Sequence, residues 1–170
     1  MSVDPNTFEI VPEAAGEEEL FPRFTGLKKL KPGLQTWLSI GGWSFSDPGP
    51  TKSTFPRLAA SSSAQSAFFA SLLSFMEQYG FDGVDMDWEY PTTPDRDGTP
   101  ADFTNYPTFM ANLRKQLNTK GYGLSMTLPS SYWYMRGFDI VSLEASVDWV
   151  RGCSKIILKS RANVALSLIS

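Results

Sequence analysis

The chain has 170 residues, of which 42% are hydrophobic and 14% aromatic, and its formal net charge is −3. This length allows one domain at most, and the negative charge argues against a nucleic-acid partner, which requires a basic face. The absence of histidine excludes Ser-His-Asp and Cys-His mechanisms and most zinc sites, and the single cysteine, Cys153, cannot form an internal disulfide.

The predicted elements alternate between helix and strand along the chain. Helical patterns cover residues 17–30, 61–80 and 102–120, and strand patterns cover residues 34–41, 81–91 and 122–128. Ser61 is a suitable N-cap for the second helix and Gly80 a suitable terminator. Because strands that alternate with long helices form βαβ units around a parallel sheet, an α/β fold is predicted.

The two ends of the chain differ from this pattern. Residues 1–20 are acidic and lack the charged start and apolar segment of a secretory leader, so the chain as written is expected to be cytoplasmic. No run approaches the roughly 18 apolar residues of a membrane span, so no membrane partner is expected. Residues 150–170 contain no acid but hold four basic residues and the cysteine. We therefore predict a domain over residues 1–149 and a divergent tail over 150–170, with a genuine final helix or strand as the alternative.

The strand predicted over residues 81–91, FDGVDMDWEYP, concentrates the acids of this chain. Side chains in a strand alternate between two faces, so Asp85, Asp87 and Glu89 are predicted to share one face, and apolar side chains occupy the other. At about 6.6 Å spacing and an effective dielectric near 20, two carboxylates repel by roughly 2.5 kcal/mol. We expect the trio to share a proton near neutral pH, and a carboxyl that keeps its proton suits a general acid. A solvated edge strand is the alternative, although it does not explain the flanking Gly83, Trp88 and Tyr90-Pro91.

Several segments together resemble a known family. DGVDMDWE resembles the D-x-x-D-x-D-x-E catalytic strand of the glycoside hydrolase family 18 chitinases, and SIGG within TWLSIGGWSF resembles their S-x-G-G third strand. LSMTLPSSYW is similar to the fifth strand and its loop, and DPNTFE to the end of the second strand in the fungal enzymes. The resemblance implies a partial (β/α)8 TIM barrel, roughly strands two to five with their helices. The chain would then be an internal fragment that lacks the first strand, most of the second, and the sixth to eighth.

The resemblance also implies a mechanism and a substrate. Glu89 would protonate the glycosidic oxygen of a β-1,4-linked N-acetylglucosamine polymer, and the substrate's own acetamido group would be the nucleophile, with retention. Asp87 would orient that acetamido group, and Asp85 would support Asp87. No metal or organic cofactor is implied. The partners would be chitin or chitooligosaccharides, and the location extracellular, which the absent leader does not match.

Further residues are candidates for binding or support. Ser39 is either a strand residue that faces solvent or a hydrogen-bond support for Asp85, and the resemblance favours the second. Gly42 and Tyr90 are expected to line the sugar site. Trp43 is either a surface on which a sugar stacks or ordinary loop packing. Residues 132–134, YWY, follow the fifth strand on the active-site side.

Three functions remain open for the sequence. The first is a chitinase-type glycosidase, although the 170 residues by themselves are expected to be inactive because much of the barrel is missing. The second is a non-catalytic, lectin-like chitin-binding protein. Such relatives typically lack the terminal acid of the motif, and Glu89 is present. The third is a fragment without a function of its own.

Overall fold

The computed structural model describes residues 1–152, 156–159 and 167–168. Its strands are β1 (Ser2–Val3), β2 (Ile10–Val11), β3 (Trp37–Gly41), β4 (Gly83–Asp87), β5 (Gly123–Leu128), β6 (Trp149–Gly152), β7 (Ile156–Lys159) and β8 (Ser167–Leu168). Its α-helices are α1 (Leu20–Thr25), α2 (Thr54–Ala60), α3 (Ser62–Tyr79), α4 (Asp102–Asn118), α5 (Tyr132–Met135) and α6 (Ile140–Glu144). Short 3₁₀ helices cover Glu17–Glu19, Gly26–Lys29, Trp43–Ser46 and Pro94–Arg96.

The main sheet has the strand order β3-β4-β5-β6-β7-β8, and its first four strands are parallel. β1 and β2 form a separate antiparallel pair. The Met1 amino group donates to the Ser39 carbonyl (3.2 Å), and the Gly41 N–H donates to the Met1 carbonyl (3.3 Å), so the start of the chain runs beside β3. A parallel sheet with its helices in βαβ order confirms the predicted α/β fold and the partial barrel.

The parallel sheet contains one strand more than the sequence analysis predicted. β6 pairs with β5 from Trp149 to Gly152, beyond residue 149, and β7 then pairs antiparallel with β6. The strand was missed because four residues of mixed polarity carry little periodic signal, and only Val150 among them is fully buried. Most of the predicted tail lies outside the described residues, so the division at residue 149 stays a prediction.

The helices follow their local signals, with two departures. Ser61 accepts the Ala64 N–H and Gly80 is left-handed (φ 75°), as predicted for the two ends of α3. α2 was not predicted, and the extended backbone of Ser61 separates it from α3. The helix predicted over residues 17–30 is instead a short α-helix between two 3₁₀ segments. Pro22 and Gly26, both poor helix formers, lie within it.

The core lies between the outer face of the sheet and the helices. The outward side chains of β4 and β5 are fully or almost fully buried: Val84, Met86, Leu124, Met126 and Leu128. Just beyond β4, Trp88 stacks on Phe55 of α2 (centroids 5.5 Å apart) and meets Tyr106 of α4 edge to face (5.1 Å). Trp88 thus points away from the acids into the helical layer.

The opposite face of the sheet carries the polar side chains. At its lower end, where the strands begin, the Trp37 ring covers Gly83 and Gly123, and a Cβ atom at either glycine would overlap the ring. Higher up, Ser39 of β3 is solvent-exposed. Within the described ranges, none of the helices combines the length and apolar character of a membrane span.

Candidate active site

The ends of β3 and β4 are held together by two glycines. The Gly42 N–H donates to the Asp87 carbonyl (2.8 Å), and a Cβ atom at Gly41 would overlap that same oxygen. Both glycines also have positive φ angles, 106° and 96°, which other residues rarely adopt. The glycine pair is therefore required for the loop that begins at residue 42 to lie directly beside Asp87.

Asp85 is the deepest acid of the strand, with only 2% of its surface exposed. Its carboxylate accepts hydrogen bonds from Ser125 Oγ (2.5 Å) and Thr127 Oγ1 (3.0 Å) of β5. The predicted partner Ser39 is also in place, but its Oγ lies 3.5 Å from the carboxylate, which makes a weak hydrogen bond. Sequence analysis missed Ser125 and Thr127, although the alternation of LSMTL places both on one strand face.

Asp87 is the acid with the perturbed proton affinity. Burial, followed by the charges of Glu89 and Asp85, raises its pKa from 3.8 to about 7, against an opposing effect of Arg151 on β6. Its Oδ1 atom is buried and has no hydrogen-bond partner among the described residues. The sequence analysis predicted a shared proton near neutral pH, and in the folded chain the raised pKa belongs to Asp87. Arg151 was missed because it lies in the predicted tail.

Glu89 lies two residues beyond the end of β4, with 9% of its surface exposed. The peptide bond that joins it to Tyr90 is cis. Glu89 therefore belongs to the loop at the C-terminal edge of the sheet rather than to the strand itself. This is the edge at which barrel enzymes place their catalytic groups.

Aromatic side chains surround this edge. Tyr90 is buried, stacks on Tyr134 of α5 (4.3 Å between centroids) and lies edge to face with Trp43 (6.4 Å). Trp43 itself is 51% exposed, and Trp133 is 64% exposed. The predicted binding residues Gly42, Trp43 and Tyr90 are thus brought together beside the acids, and whether they contact a sugar stays a prediction.

Asp82, which the alternation separates from the trio, lies at the other end of β4. Burial opposes its ionisation, but hydrogen bonds from Lys28 Nζ (2.8 Å) and the Thr36 N–H (2.7 Å) outweigh burial and lower its pKa. Asp82 thus ties the start of β4 to residues before β3, which is a structural role. No group of three or more His, Cys, Asp or Glu residues is arranged to hold a metal ion in the part of the chain that the structure describes.

Comparison with known proteins assigns the chain to a family. The family described as Glycosyl hydrolases family 18 matches residues 1–152. The killer toxin subunits alpha/beta of Kluyveromyces lactis are 34% identical over 152 residues, which is 87% of this chain and 13% of that protein. The secreted chitinase LysM12 of Penicillium expansum is 34% identical over 122 residues, which is 69% of this chain and 8% of that protein.

A solved structure shares the fold. It is catalytic domain 2 of the Group II chitinase of Ostrinia furnacalis, a mutant in complex with penta-N-acetylchitooctaose, and it superposes with a TM-score of 0.80 at 27% identity. The match covers 91% of this chain and 40% of that one, so the chain spans less than half the length of each of these three proteins. With the family matched over almost the whole described length, the chain belongs to glycosyl hydrolases family 18.

Proposed function

We propose that residues 1–152 form the acid-bearing part of a site that hydrolyses β-1,4-linked N-acetylglucosamine polymers. The observation that carries the proposal is the line of three carboxyl groups at the C-terminal edge of the sheet, in which the central Asp87 keeps its proton up to a pH of about 7. Substrate-assisted hydrolysis requires a proton for the leaving group and a carboxylate for the acetamido group, and three coupled acids that share one proton can supply both. The family to which the chain belongs is one in which the substrate supplies the nucleophile.

The acid trio shares one proton, which Asp87 holds in the resting site. In the first step this proton passes to Glu89, and Glu89 gives it to the glycosidic oxygen as the bond from that oxygen to C1 breaks. The carbonyl oxygen of the substrate's acetamido group donates an electron pair to C1 from the opposite face and closes an oxazolinium ring. Water then adds to C1, its proton goes to the Glu89 carboxylate, and the ring opens. The sugar leaves with its original configuration because C1 is inverted twice.

Asp87 and Asp85 have supporting roles in this proposal. Once its proton has passed to Glu89, Asp87 is a carboxylate that accepts the acetamido N–H and stabilises the positive charge that develops in the ring. Asp85 is held by the hydroxyl groups of Ser125 and Thr127, so its position is fixed while the charge beside it changes. A carboxylate whose orientation is set before the reaction stabilises the transition state at little reorganisation cost.

The number of strands limits what the 170 residues do by themselves. The parallel strands β3, β4, β5 and β6 form one wall of the site, whereas a closed barrel has eight strands. We therefore expect residues 1–170 alone to bind chitooligosaccharides without hydrolysing them, and we expect hydrolysis once the remaining strands are supplied. Because the Penicillium expansum relative is a secreted chitinase by name, we place the activity outside the cell.

A non-catalytic chitin-binding protein is the second candidate function. The half-exposed Trp43 beside the acids is suited to binding a sugar, which both a chitinase and a chitin-binding protein require. The presence of Glu89, largely buried at the strand end, favours hydrolysis. A carboxyl at this position has no evident role in binding alone.

The test is a chimera in which the missing strands come from the Ostrinia furnacalis domain. Glu89→Gln in this chimera should reduce turnover of a fluorogenic chitobioside by about 100-fold or more, within the usual range for a general acid, while binding of chitohexaose is retained. The matched control is Glu77→Gln, since Glu77 is an exposed acid of α3 that pairs with Lys120 (3.1 Å). An inactive parent chimera that binds chitohexaose would favour the binding protein, and a Gln variant with more than about a tenth of parent turnover would remove Glu89 from its role.

A further inference from the structure

Arg96 is a buried cation in the loop that follows β4. It lies at the end of the 3₁₀ helix Pro94–Arg96, and only 7% of its surface is exposed. Burying a guanidinium is unfavourable unless its charge and donors are satisfied. The contacts that Arg96 makes therefore indicate what it is for.

Each described contact of the Arg96 guanidinium is with the loop that follows β3. Its Nη1 donates to the carbonyl oxygen of Trp43 (2.9 Å) and forms an ion pair with Asp47 (3.0 Å). The guanidinium carbon lies 3.8 Å from the centre of the Trp43 ring. A planar guanidinium can stack on an indole and donate in its own plane at once, which the ammonium of lysine cannot do. Arg96 therefore fixes both the backbone and the ring of Trp43.

The loop that carries Arg96 is itself held rigidly. The buried carboxylate of Asp102 accepts the Thr92 N–H (3.2 Å) and the Thr99 N–H (2.7 Å), which ties the two ends of the loop together. Within the loop, the Gly98 N–H donates to the Thr93 carbonyl (2.9 Å). Because these bonds fix the loop before any ligand arrives, Arg96 is a preorganised support.

Trp43 is presented beside the acids with one face free. Arg96 covers one face of the ring, and Tyr90 approaches it edge to face at 6.4 Å, yet half of the side chain remains exposed. The residue before it, Gly42, donates its N–H to the Asp87 carbonyl. An exposed aromatic face next to a catalytic carboxyl is suited to the apolar C–H face of a sugar ring.

We propose that Arg96 is a positioning residue that holds the Trp43 ring as a one-sided stacking surface for a sugar beside Glu89. The inference rests on the proposed function and extends it to a residue that makes no contact with the reacting atoms. Arg96 acts by restricting Trp43 to one orientation, so that a sugar does not have to order the ring when it binds.

The loops offer a matched control for this role. Lys52 and Asp97 form a second ion pair between the same two loops (2.9 Å), and neither side chain is among the described contacts of Trp43. If Arg96 only joined the loops, Lys52→Met and Arg96→Met would have similar effects. If Arg96 positions the ring, only Arg96→Met affects binding.

The experiment uses the full 170-residue chain labelled with 5-fluorotryptophan. The ¹⁹F signal of Trp43 is assigned with Trp43→Phe, and each variant is titrated with chitohexaose. Arg96→Met should move the Trp43 signal toward that of a solvent-exposed indole and raise the Kd about tenfold, which corresponds to about 1.4 kcal/mol. Arg96→Lys keeps the charge without the planar stack, so we expect a Kd increase of about threefold. Lys52→Met should leave the signal in place and the Kd within about twofold of the wild type.

The two measurements separate failure of this inference from failure of the proposed function. An unchanged Trp43 signal in Arg96→Met shows that Arg96 does not position the ring and overturns the inference. If the Trp43 signal moves in Arg96→Met but the Kd for chitohexaose is unchanged, the ring is not a stacking surface for the sugar and the inference is overturned. If the wild-type chain, with Trp43 in place, shows no response to millimolar chitohexaose, the proposed function fails and the stacking surface fails with it.

Discussion

Replacing Asp87 by asparagine tests the electrostatics of the acid strand directly. Asparagine has nearly the shape of a protonated aspartic acid but cannot ionise. In the folded chain the pKa of Asp87 is raised from 3.8 to about 7 by burial and by the neighbouring charges of Glu89 and Asp85. Any difference in pH dependence between the variant and the wild type therefore reports on this one carboxyl.

The sign of the effect follows from proton linkage. Between pH 3.8 and about 7 the unfolded chain has lost the Asp87 proton while the folded chain keeps it, so the wild-type free energy of unfolding falls as the pH rises. The difference between the two pKa values corresponds to roughly 4 kcal/mol, and since Asp87 is partly exposed, solvent screening reduces this to about 2 kcal/mol. The free energy of unfolding of Asp87→Asn, relative to that of the wild type, should therefore rise by this amount between pH 4 and 7. Above pH 7 the difference between the two chains should stay constant.

The assay is urea unfolding of both chains at pH 4, 5, 6, 7 and 8. Asp82→Asn is the control with the opposite sign, because the pKa of Asp82 is lowered, with its Lys28 and Thr36 partners outweighing burial. The stability that Asp82 contributes is present above the unfolded pKa and is lost as the pH falls, so this variant should be destabilised at pH 7 and approach the wild type in acid. If the free energies of unfolding of Asp87→Asn and the wild type change in parallel from pH 4 to pH 8, the raised pKa of Asp87 is wrong.

Two further predictions concern the inner face of the sheet. Ser125→Ala should destabilise the chain by about 2 kcal/mol because it removes a buried donor from the Asp85 carboxylate. Ser39→Ala should cost less than about 0.5 kcal/mol, because the Ser39 hydroxyl lies 3.5 Å from that carboxylate. Equal urea midpoints for the two variants would contradict this ranking. Gly123→Ala should cost about 1–3 kcal/mol because its methyl group would overlap the Trp37 ring, and adding Trp37→Leu should recover part of that loss in the same assay.

The parts of the fold that could be predicted from the sequence are those set by local chemistry. The alternation in residues 81–91 is enough to assign Asp85 and Asp87 to one face and Trp88 to the other. Ser61 and Gly80 mark the ends of α3 because a side-chain cap and a left-handed glycine act within one helical turn. The short helix α2 was missed because it lies directly before α3 and only the extended Ser61 divides them.

The parts of the site that could not be predicted depend on register between strands. Asp85 lies opposite Ser125 because β4 and β5 pair in one of several possible alignments, and composition does not select among them. The effect of Arg151 on the Asp87 pKa depends in turn on the pairing of β6 with β5. The role of Arg96 could not be predicted, since 53 positions separate it from the Trp43 carbonyl to which it donates.

Register also explains why a strand with an acidic face is stable in this position. At the lower end of the polar face, small residues make room for one large ring, because Trp37 pairs with Gly83, which in turn pairs with Gly123. One layer higher, Ser39 and Ser125 flank Asp85 and offer hydroxyl donors to its charge.

At the upper end, the neighbour opposite Asp87 is Gly41, which has no side chain to donate a hydrogen bond. The two acids of β4 are therefore treated differently by their neighbours. Asp85 accepts hydrogen bonds from three hydroxyl groups, whereas Asp87 has a buried oxygen without a partner among the described residues. Burial, followed by the charges of Glu89 and Asp85, raises the pKa of Asp87 to about 7. The parallel register therefore decides which acid of the strand has hydroxyl donors beside it and which one is buried without them.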